Sequence, residues 1–407
     1  MLTIIKANHI LTGPHETTLE NHQVVVEDGK IKSIEQSQIE SPADVQIIDL
    51  GSRTVMPGLI DCHIHAGLDG SIDMEKTLLE LFPLHVLKAG TNVRRDLEAG
   101  FTTLRCMGDK GYLDIGLKLA IEKGIITGPR MVTCGHAITI TGGHADMHFP
   151  PDVPIYQGFG VVADGPDEVR RAARQQIRFG ADLVKLMTTG GVLSGADEPG
   201  SQQLSLVEMQ VAVEEAKKAG KKVAAHAQGN SGIKDAIRAG VNSIEHGFFL
   251  DEESLQMLLD TGTYLCPVHQ ALKRLCERGP ESGLADYAYR KAKFVEEAAI
   301  KSLQMAISAG VKMVIGTDAG TAFNPHGENA EELELFVKNG MSTRDALASA
   351  TTVASGLLGM SNKIGTLVPG KFADVIAVEG DPLADIRILQ KVDFVMKGGE
   401  VVKNVNP

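Results

Sequence analysis

Two histidines spaced by two, His63 and His65 in LIDCHIH, lie in an apolar run whose alternation would turn both imidazoles to the same face of a strand. So paired, they can grip one metal ion. An isolated H-x-H pair is more often structural than ligating, but four further groups of metal-compatible chemistry end other apolar runs. These are Lys185 in ADLVKLMTTGG, His226 in KVAAHAQG, His246 in VNSIEHG and Asp318 in KMVIGTDAG. Lys185 is the informative member, because an unpaired ammonium in an apolar strand is costly. It must snorkel, pair with an acid, or be chemically altered. Between two cations, a neutral lysine amine can take up CO2 as a carbamate whose two oxygens bridge both ions.

The runs that end in these groups alternate with amphipathic helical stretches. LIDCHIH, TTLRCMG, RMVTCG, ADLVKLMTTGG, KVAAHAQG, VNSIEHG, TYLCPVH and KMVIGTDAG make eight candidate strands. Strands alternating with helices imply a parallel sheet, and eight of them point to a closed (β/α)8 TIM barrel of the α/β class, with its site at the strand ends. An open doubly wound sheet would gather its functional groups at one switch point, whereas here they are spread over many strand ends. One helix, SLVEMQVAVEEAKKAGKK, is expected to bury Val207, Val211 and Ala212; the polar stretch ALKRLCERGPESGLADYAYRKAK is expected to hold a mobile loop over the site. The first segment reads differently, in short alternating runs (LTIIKA, HQVVVEDGKIKSIE, VQIIDLG) with Asp-Gly turns that suit hairpins. That grammar returns near the C-terminus, in GTLVPGKFADVIAVEG and VDFVMKGGEVVKN. The expected organisation is a small β-sandwich domain built from residues 1–56 and 361–407, with the barrel over 57–360 between its halves.

The net charge of −12 argues against nucleic acid or an anionic membrane as partner, though a local basic pocket could hold a small acid. Five cysteines without C-x-x-C spacing suggest neither a disulfide framework nor a cysteine zinc site and fit a reducing cytoplasm. The N-terminus lacks the unbroken apolar core of a secretory signal, and no stretch has the apolar length of a membrane span.

PGLIDCHIHAG, VKLMTTGG, VAAHAQG, IEHG and GTDAG, in this order, resemble the amidohydrolase superfamily, in particular its imidazolonepropionase-like and prolidase-like branch, over nearly the whole chain. Any one motif is weak; the ordered set is specific. The resemblance implies two divalent metal ions, usually zinc, with His63, His65 and Asp318 on the first, His226 and His246 on the second, and a CO2-derived carbamate on Lys185 bridging them. It also implies the split β-sandwich. Imidazole and carboxylate ligands suit zinc, and Mn or Co could substitute. In such a site two cations lower the pKa of a bridging water, and Asp318 deprotonates it and passes the proton to the leaving nitrogen. Hydrolysis of a small C–N amide bond follows, with a dipeptide or N-acyl amino acid as expected substrate.

TITGGHADMHFP places His144 where it could polarise the scissile carbonyl, and a TGGH motif lines the pocket of prolidase-like relatives. His136 and His326 are further substrate-binding candidates, while Asn329 is expected to cap the helix after it. Many relatives carry a tyrosine two positions beyond the fifth-strand histidine, where it meets the substrate carboxylate; here that position is Gln228. His9, His15, His22, His85 and His148 belong to no constellation, and most are expected at the surface or in loops. The alternative reactions are cyclic amide or imide hydrolysis, as in imidazolonepropionase- or hydantoinase-like relatives, and deamination. A non-catalytic scaffold is opposed by the presence of all six metal positions. Barrels of this kind often self-associate, but no interface signature stands in the sequence.

Overall fold

A computed structural model describes residues 2–37, 45–147 and 158–405. β1 (Leu2–Ile10), β2 (Leu19–Glu27) and β3 (Lys30–Gln36) form an antiparallel meander, with β4 (Gln46–Asp49) and β5 (Thr54–Pro57) added parallel to β1. The β2–β3 turn puts Asp28 and Gly29 at φ 50° and 77°, the left-handed pair that a two-residue hairpin requires and that Asp-Gly tolerates.

The middle of the chain supplies parallel strands. β6 (Leu59–Ile64), β7 (Phe101–Cys106) and β8 (Arg130–Thr133) form one sheet. The second contains β9 (Ala137–Thr139), β10 (Gly160–Val162), β11 (Leu183–Met187), β12 (Lys222–Ala227), β13 (Ser243–His246) and β14 (Tyr264–Cys266). β15 (Val375–Val378), β16 (Phe394–Lys397) and β17 (Glu400–Asn404) then return to the first sheet, β15 pairing antiparallel with β5. The two ends of the chain thus share one eight-stranded sheet, as their common pattern implied. Ile5, Val24, Val26, Ile31, Val55, Val375 and Phe394 form its core.

Seven of the eight expected central runs are strands. The eighth, KMVIGTDAG, has no regular strand, yet its backbone bonds to both neighbours. Val314 N donates to Leu265 O of β14 at 2.9 Å, and Cys62 N of β6 donates to Ile315 O at 2.9 Å. Gly316 explains both the close approach and the irregularity: a Cβ there would lie 2.2 Å from Cys266 Sγ and 2.7 Å from His63 Cβ. Across the other gap, Asp182 N, just before β11, donates to Thr133 O of β8 at 2.7 Å.

Helices cover the central strands. Leu206–Lys218 begins with a Ser205/Glu208 capping box and buries Met209, Val211, Ala212 and Ala216. Val207, expected on that face, is exposed; its position is about 140° round the helix from Ala212, outside the apolar stripe. The polar stretch expected to hold a mobile loop is largely helical, over His269–Arg278 and from Asp286 into a helix ending at Ala309. Leu272, Leu275, Ala288 and Ala292 pack there in one apolar cluster, which fixes the stretch. No helix among the described residues is long and apolar enough to cross a membrane.

Candidate active site

All six groups singled out at the strand ends line one cavity of about 590 Å3: His63, His65, Lys185, His226, His246 and Asp318. Ligand atoms of His63, His246 and Asp318 lie within 4.8 Å of one another. His65 Nε2 is 3.1 Å and His63 Nε2 3.5 Å from Asp318 Oδ1. The His226 and His246 ring centroids are 4.5 Å apart.

Hydrogen bonding orients three of these imidazoles. His63 Nδ1 donates to Glu245 Oε2 at 2.9 Å, His65 Nδ1 to Gly108 O at 2.7 Å, and His226 Nε2 to Gly190 O at 3.2 Å. Metal-binding histidines use one nitrogen this way and present the lone pair of the other. With the protons of His63 and His65 on the Nδ1 atoms that bond Glu245 and Gly108, their Nε2 lone pairs face Asp318 Oδ1, which is buried among these rings without a hydrogen-bond donor. Burial alone would raise the Asp318 carboxyl, but His63, His65 and His246 hold it well below the usual carboxylate range. Asp318 and His246 both adopt left-handed backbone, φ 58° and 73°, conformations that cost energy outside glycine and gather at functional sites. Lys185 is 1% exposed, and its ammonium makes no hydrogen bond or ion pair among the described residues. Burial pulls its ammonium below its usual value, against the opposing pull of Glu245 and Asp318. Convergent lone pairs, a carboxylate oxygen without a donor and an amine disposed to neutrality are the donor set that divalent cations require.

Glu245 was not singled out from the sequence. It precedes His246 on β13 and accepts from Arg105 Nη2 at 2.8 Å and Ser243 Oγ at 2.5 Å. Burial opposes its ionisation, but Arg105 and His63 hold the carboxyl well below its ordinary range. His63 Nδ1, Glu245 and Cys266 also lie within ligand distance of one another, but Glu245 is committed to Arg105 and burial pushes the Cys266 thiol well above its usual pKa. That trio is therefore a support behind His63. The sequence signal was a buried acid in SIEH and a buried base in TLRC, two charges in apolar runs that must find each other. Asp61 is a second support: it accepts from His63 N at 3.0 Å, Thr317 Oγ1 at 2.6 Å and Asn329 Nδ2 at 2.8 Å, tying β6 to the Asp318 segment.

His144 also lines the cavity, and its ring centroid lies 4.3 Å from that of His226. Its Nδ1 is 2.8 Å from Ser194 Oγ, which donates to Asp197 Oδ1 at 2.5 Å. Asp197 also accepts from Gln203 Nε2 at 3.0 Å and pairs with buried Lys291 at 3.2 Å. Because the single Ser194 hydroxyl proton goes to Asp197, His144 Nδ1 must donate to Ser194. Burial lowers the His144 pKa to about 4. The neutral ring therefore offers Nε2 as an acceptor, whereas polarising a carbonyl would need a proton there.

Gln228 lines a small recess beside His144, His226 and Asp318, otherwise walled by Val192, Phe248, Leu272 and Leu275. Its Oε1 is buried without a partner. The other two substrate-binding candidates lie outside the cavity lining. His136 Nε2 accepts from Gly111 N at 3.1 Å, and its ring packs 4.3 Å from Tyr112. His326 Nδ1 donates to Asp96 at 2.7 Å and its Nε2 to Leu68 O at 3.0 Å, so neither nitrogen is left for a substrate. Asn329 does not cap the following helix, whose N-cap is Ala330; its amide serves Asp61 instead. Glu332 reaches across to His269 N at 2.8 Å, at the start of another helix. His85, expected near the surface, is fully buried with both ring nitrogens unpartnered, and His148 lies outside the described residues.

The chain is similar to known proteins over nearly its whole length. The amidohydrolase family model matches residues 54–402. The ochratoxinase of Aspergillus niger is 33% identical over 428 aligned residues, covering 99% of this chain and 87% of that protein. The crystal structure of a Xaa-Pro dipeptidase with methionine bound in its active site superposes with a TM-score of 0.93 at 35% identity, covering 98% of this chain and 99% of that one. A prolidase complexed with N-methylphosphonate-L-proline gives a TM-score of 0.92 at 30% identity, covering 99% of this chain and all of that one (100%). The protein, a hydrolase of carbon–nitrogen bonds, belongs to the amidohydrolase family, in its prolidase-like branch.

Proposed function

We propose that the protein hydrolyses a small amide, a dipeptide or an N-acyl amino acid, at a binuclear zinc site in the mouth of a (β/α)8 barrel. The barrel would occupy residues 57–360 and carry a β-sandwich built from 1–56 and 361–407. The backbone bonds from the Asp318 segment to both β14 and β6, with the contact between Asp182 and β8, support closure of the ring. The observation that carries the reading is the set of six convergent groups in one cavity, with Asp318 Oδ1 left unpartnered.

His63, His65 and Asp318 would hold one cation and His226 and His246 the other, with a carbamate of Lys185 between them. The lysine enters as the free amine: Nζ attacks CO2, an N–C bond forms, and one amine proton leaves to solvent. Bound divalent cations would acidify water and polarise a carbonyl. The Asp318 carboxylate takes the proton of the attacking water and returns it to the departing nitrogen. Glu245 and Arg105 keep His63 turned toward the cavity.

His144 Nε2, held by the Ser194–Asp197 relay, accepts a substrate N–H. This replaces the carbonyl-polarising role expected from its motif. Leu68, Ile72, Met147, Phe159, Met187 and Leu193 line the cavity, which favours an apolar acyl or side-chain group. Gln228 offers a neutral amide at the recess where many relatives have a tyrosine, so recognition of a carboxylate there is by hydrogen bond alone.

The test is a screen of the zinc-loaded protein, with bicarbonate, against pooled dipeptides, N-acyl amino acids, nucleobases and cyclic imides, read by mass spectrometry. Release of free amino acids is expected. Ammonia loss or ring opening without amino-acid release would overturn the substrate class and leave the metal site standing.

A further inference from the structure

A second cavity, of about 600 Å3, opens beside the first residues of β8, β11 and β12, the strand ends opposite the candidate active site. On a chain with a net charge of −12 its lining is reversed in sign: Arg105, Lys118, Arg130, Lys221, Lys222, Lys363 and Lys397 against Glu122 and Asp182. Several of these cations are committed. Lys118 pairs with Asp182 at 2.7 Å, Arg130 with Asp374 at 2.5 Å, and Arg105 with Glu245 at 2.8 Å. Lys222 donates to the carbonyls of Gly356 and Leu357 at a helix C-terminus, a role that basic residues often fill.

Those assignments leave Lys221, Lys363 and Lys397, whose ammonium groups make no hydrogen bond or ion pair among the described residues. Lys397 is half-buried on β16, and its charged neighbours are Arg130, Asp374, Glu400 and Glu122; Asp374 is already held by Arg130. Burial lowers the ammonium of both Lys222 and Lys397, and the cation Arg105 lowers that of Lys222 further. Arg130 is fixed over the Phe372 ring, 4.4 Å from its centroid. Partly desolvated cations around a concave space gain from an anion that brings several oxygens at once.

We propose that this cavity is a second ligand site, taking a small anion with a phosphate group or with two or more carboxylates, held by Lys221, Lys363 and Lys397 against a wall of Arg130 and Lys222. Lys363 and Lys397 come from the C-terminal part of the chain and Lys221 immediately precedes β12, so a bound anion joins the small sheet to the central strands.

The test is calorimetric titration of the full-length, metal-loaded protein with inorganic phosphate and, separately, tricarballylate. The wild type is compared with a Lys363→Gln/Lys397→Gln double variant whose fold is checked by circular dichroism. Saturable binding of at least one anion is expected, weakened tenfold or more in the double variant. Binding of phosphate alone identifies a phosphate ligand, and of tricarballylate alone a polycarboxylate. If the double variant does not fold, Lys221→Gln replaces it, with a weakening of threefold or more expected. Affinity unchanged in the folded variant would put the anion at the metal centre and overturn the proposal, as would the absence of saturable binding by either anion at millimolar concentration.

Discussion

The two ends of the central strands enclose cavities of nearly equal size, about 590 and 600 Å3, and treat their polar groups in opposite ways. At the base, Lys118, Arg130 and Arg105 meet carboxylates and Lys222 meets helix-end carbonyls, while the cations left over, Lys221, Lys363 and Lys397, stand nearer to solvent. At the mouth, Asp318 Oδ1 has no donor, Lys185 has no partner, and two residues hold strained backbone. The proposed chemistry falls at the end where buried groups are left unsatisfied, even though the other end carries more formal charge. Arg105 spans both: its side chain lines the base cavity while its guanidinium holds Glu245, and through it His63.

If that contrast is correct, substitutions at the mouth should abolish chemistry with little effect on folding. Asp318→Asn is expected to lower kcat/KM by about 10³-fold or more while both metals remain bound, since the amide keeps an oxygen ligand but cannot take a proton. Paired kinetics and elemental analysis check it. Lys185→Ala should lose at least one metal and about 10²-fold or more in rate, because it would remove the group proposed to lie between the ions. Retention of two tightly bound ions at full rate would remove the carbamate from the mechanism. Glu245→Gln sits between the two ends and should disturb both. Metal affinity should fall about 10–100-fold as His63 loses its anchor. Unfolding should become easier by about 3–5 kcal/mol, because Arg105 keeps a buried charge without its counterion. Denaturant melts and zinc titrations separate the two effects.

The convergence of the six groups was legible because they close apolar runs, where a histidine, lysine or aspartate departs from the local pattern; Lys185 is the clearest case, since burial makes its charge a liability. Pairing of the two chain ends was legible for the same reason, from hairpin grammar recurring after the central repeats. What could not be read were partners that meet only in three dimensions. Nothing near Lys291 in YAYRKAK points to the loop carrying Ser194 and Asp197, more than ninety residues earlier. His326 looked like a pocket residue because GTDAGTAFNPHGEN continues beyond Asp318; Asp96, from a distant helix, claims its ring. The eighth run satisfied the strand pattern but not the strand geometry, since Gly316 and Asp318 answer to close packing and to the site.

The smallest effect is expected on the outer wall, away from both cavities, and it tests whether a dense ion-pair cluster matters when it faces neither. Glu215, on the helix Leu206–Lys218, accepts from Arg170 at 2.8 Å, Arg174 at 2.8 Å and Lys218 at 3.1 Å. Arg174 foremost, with Lys218 and Arg170, holds its carboxyl down to about 2, against about 4.3 for an unfolded chain. A group depressed in the native state contributes fully above its unfolded pKa, and that contribution is lost as pH falls toward the native value. Glu215→Gln should therefore lower Tm by about 2 °C at pH 7. The gap between wild type and variant should narrow as the pH is lowered through about 4.3. Metal content and kcat/KM should not change. A gap that stayed constant down to pH 3 would mean that Glu215 acts through packing of its methylenes and not through its charge. A change in metal content would mean that the wall and the mouth are coupled, and the separation of the two ends would then fail.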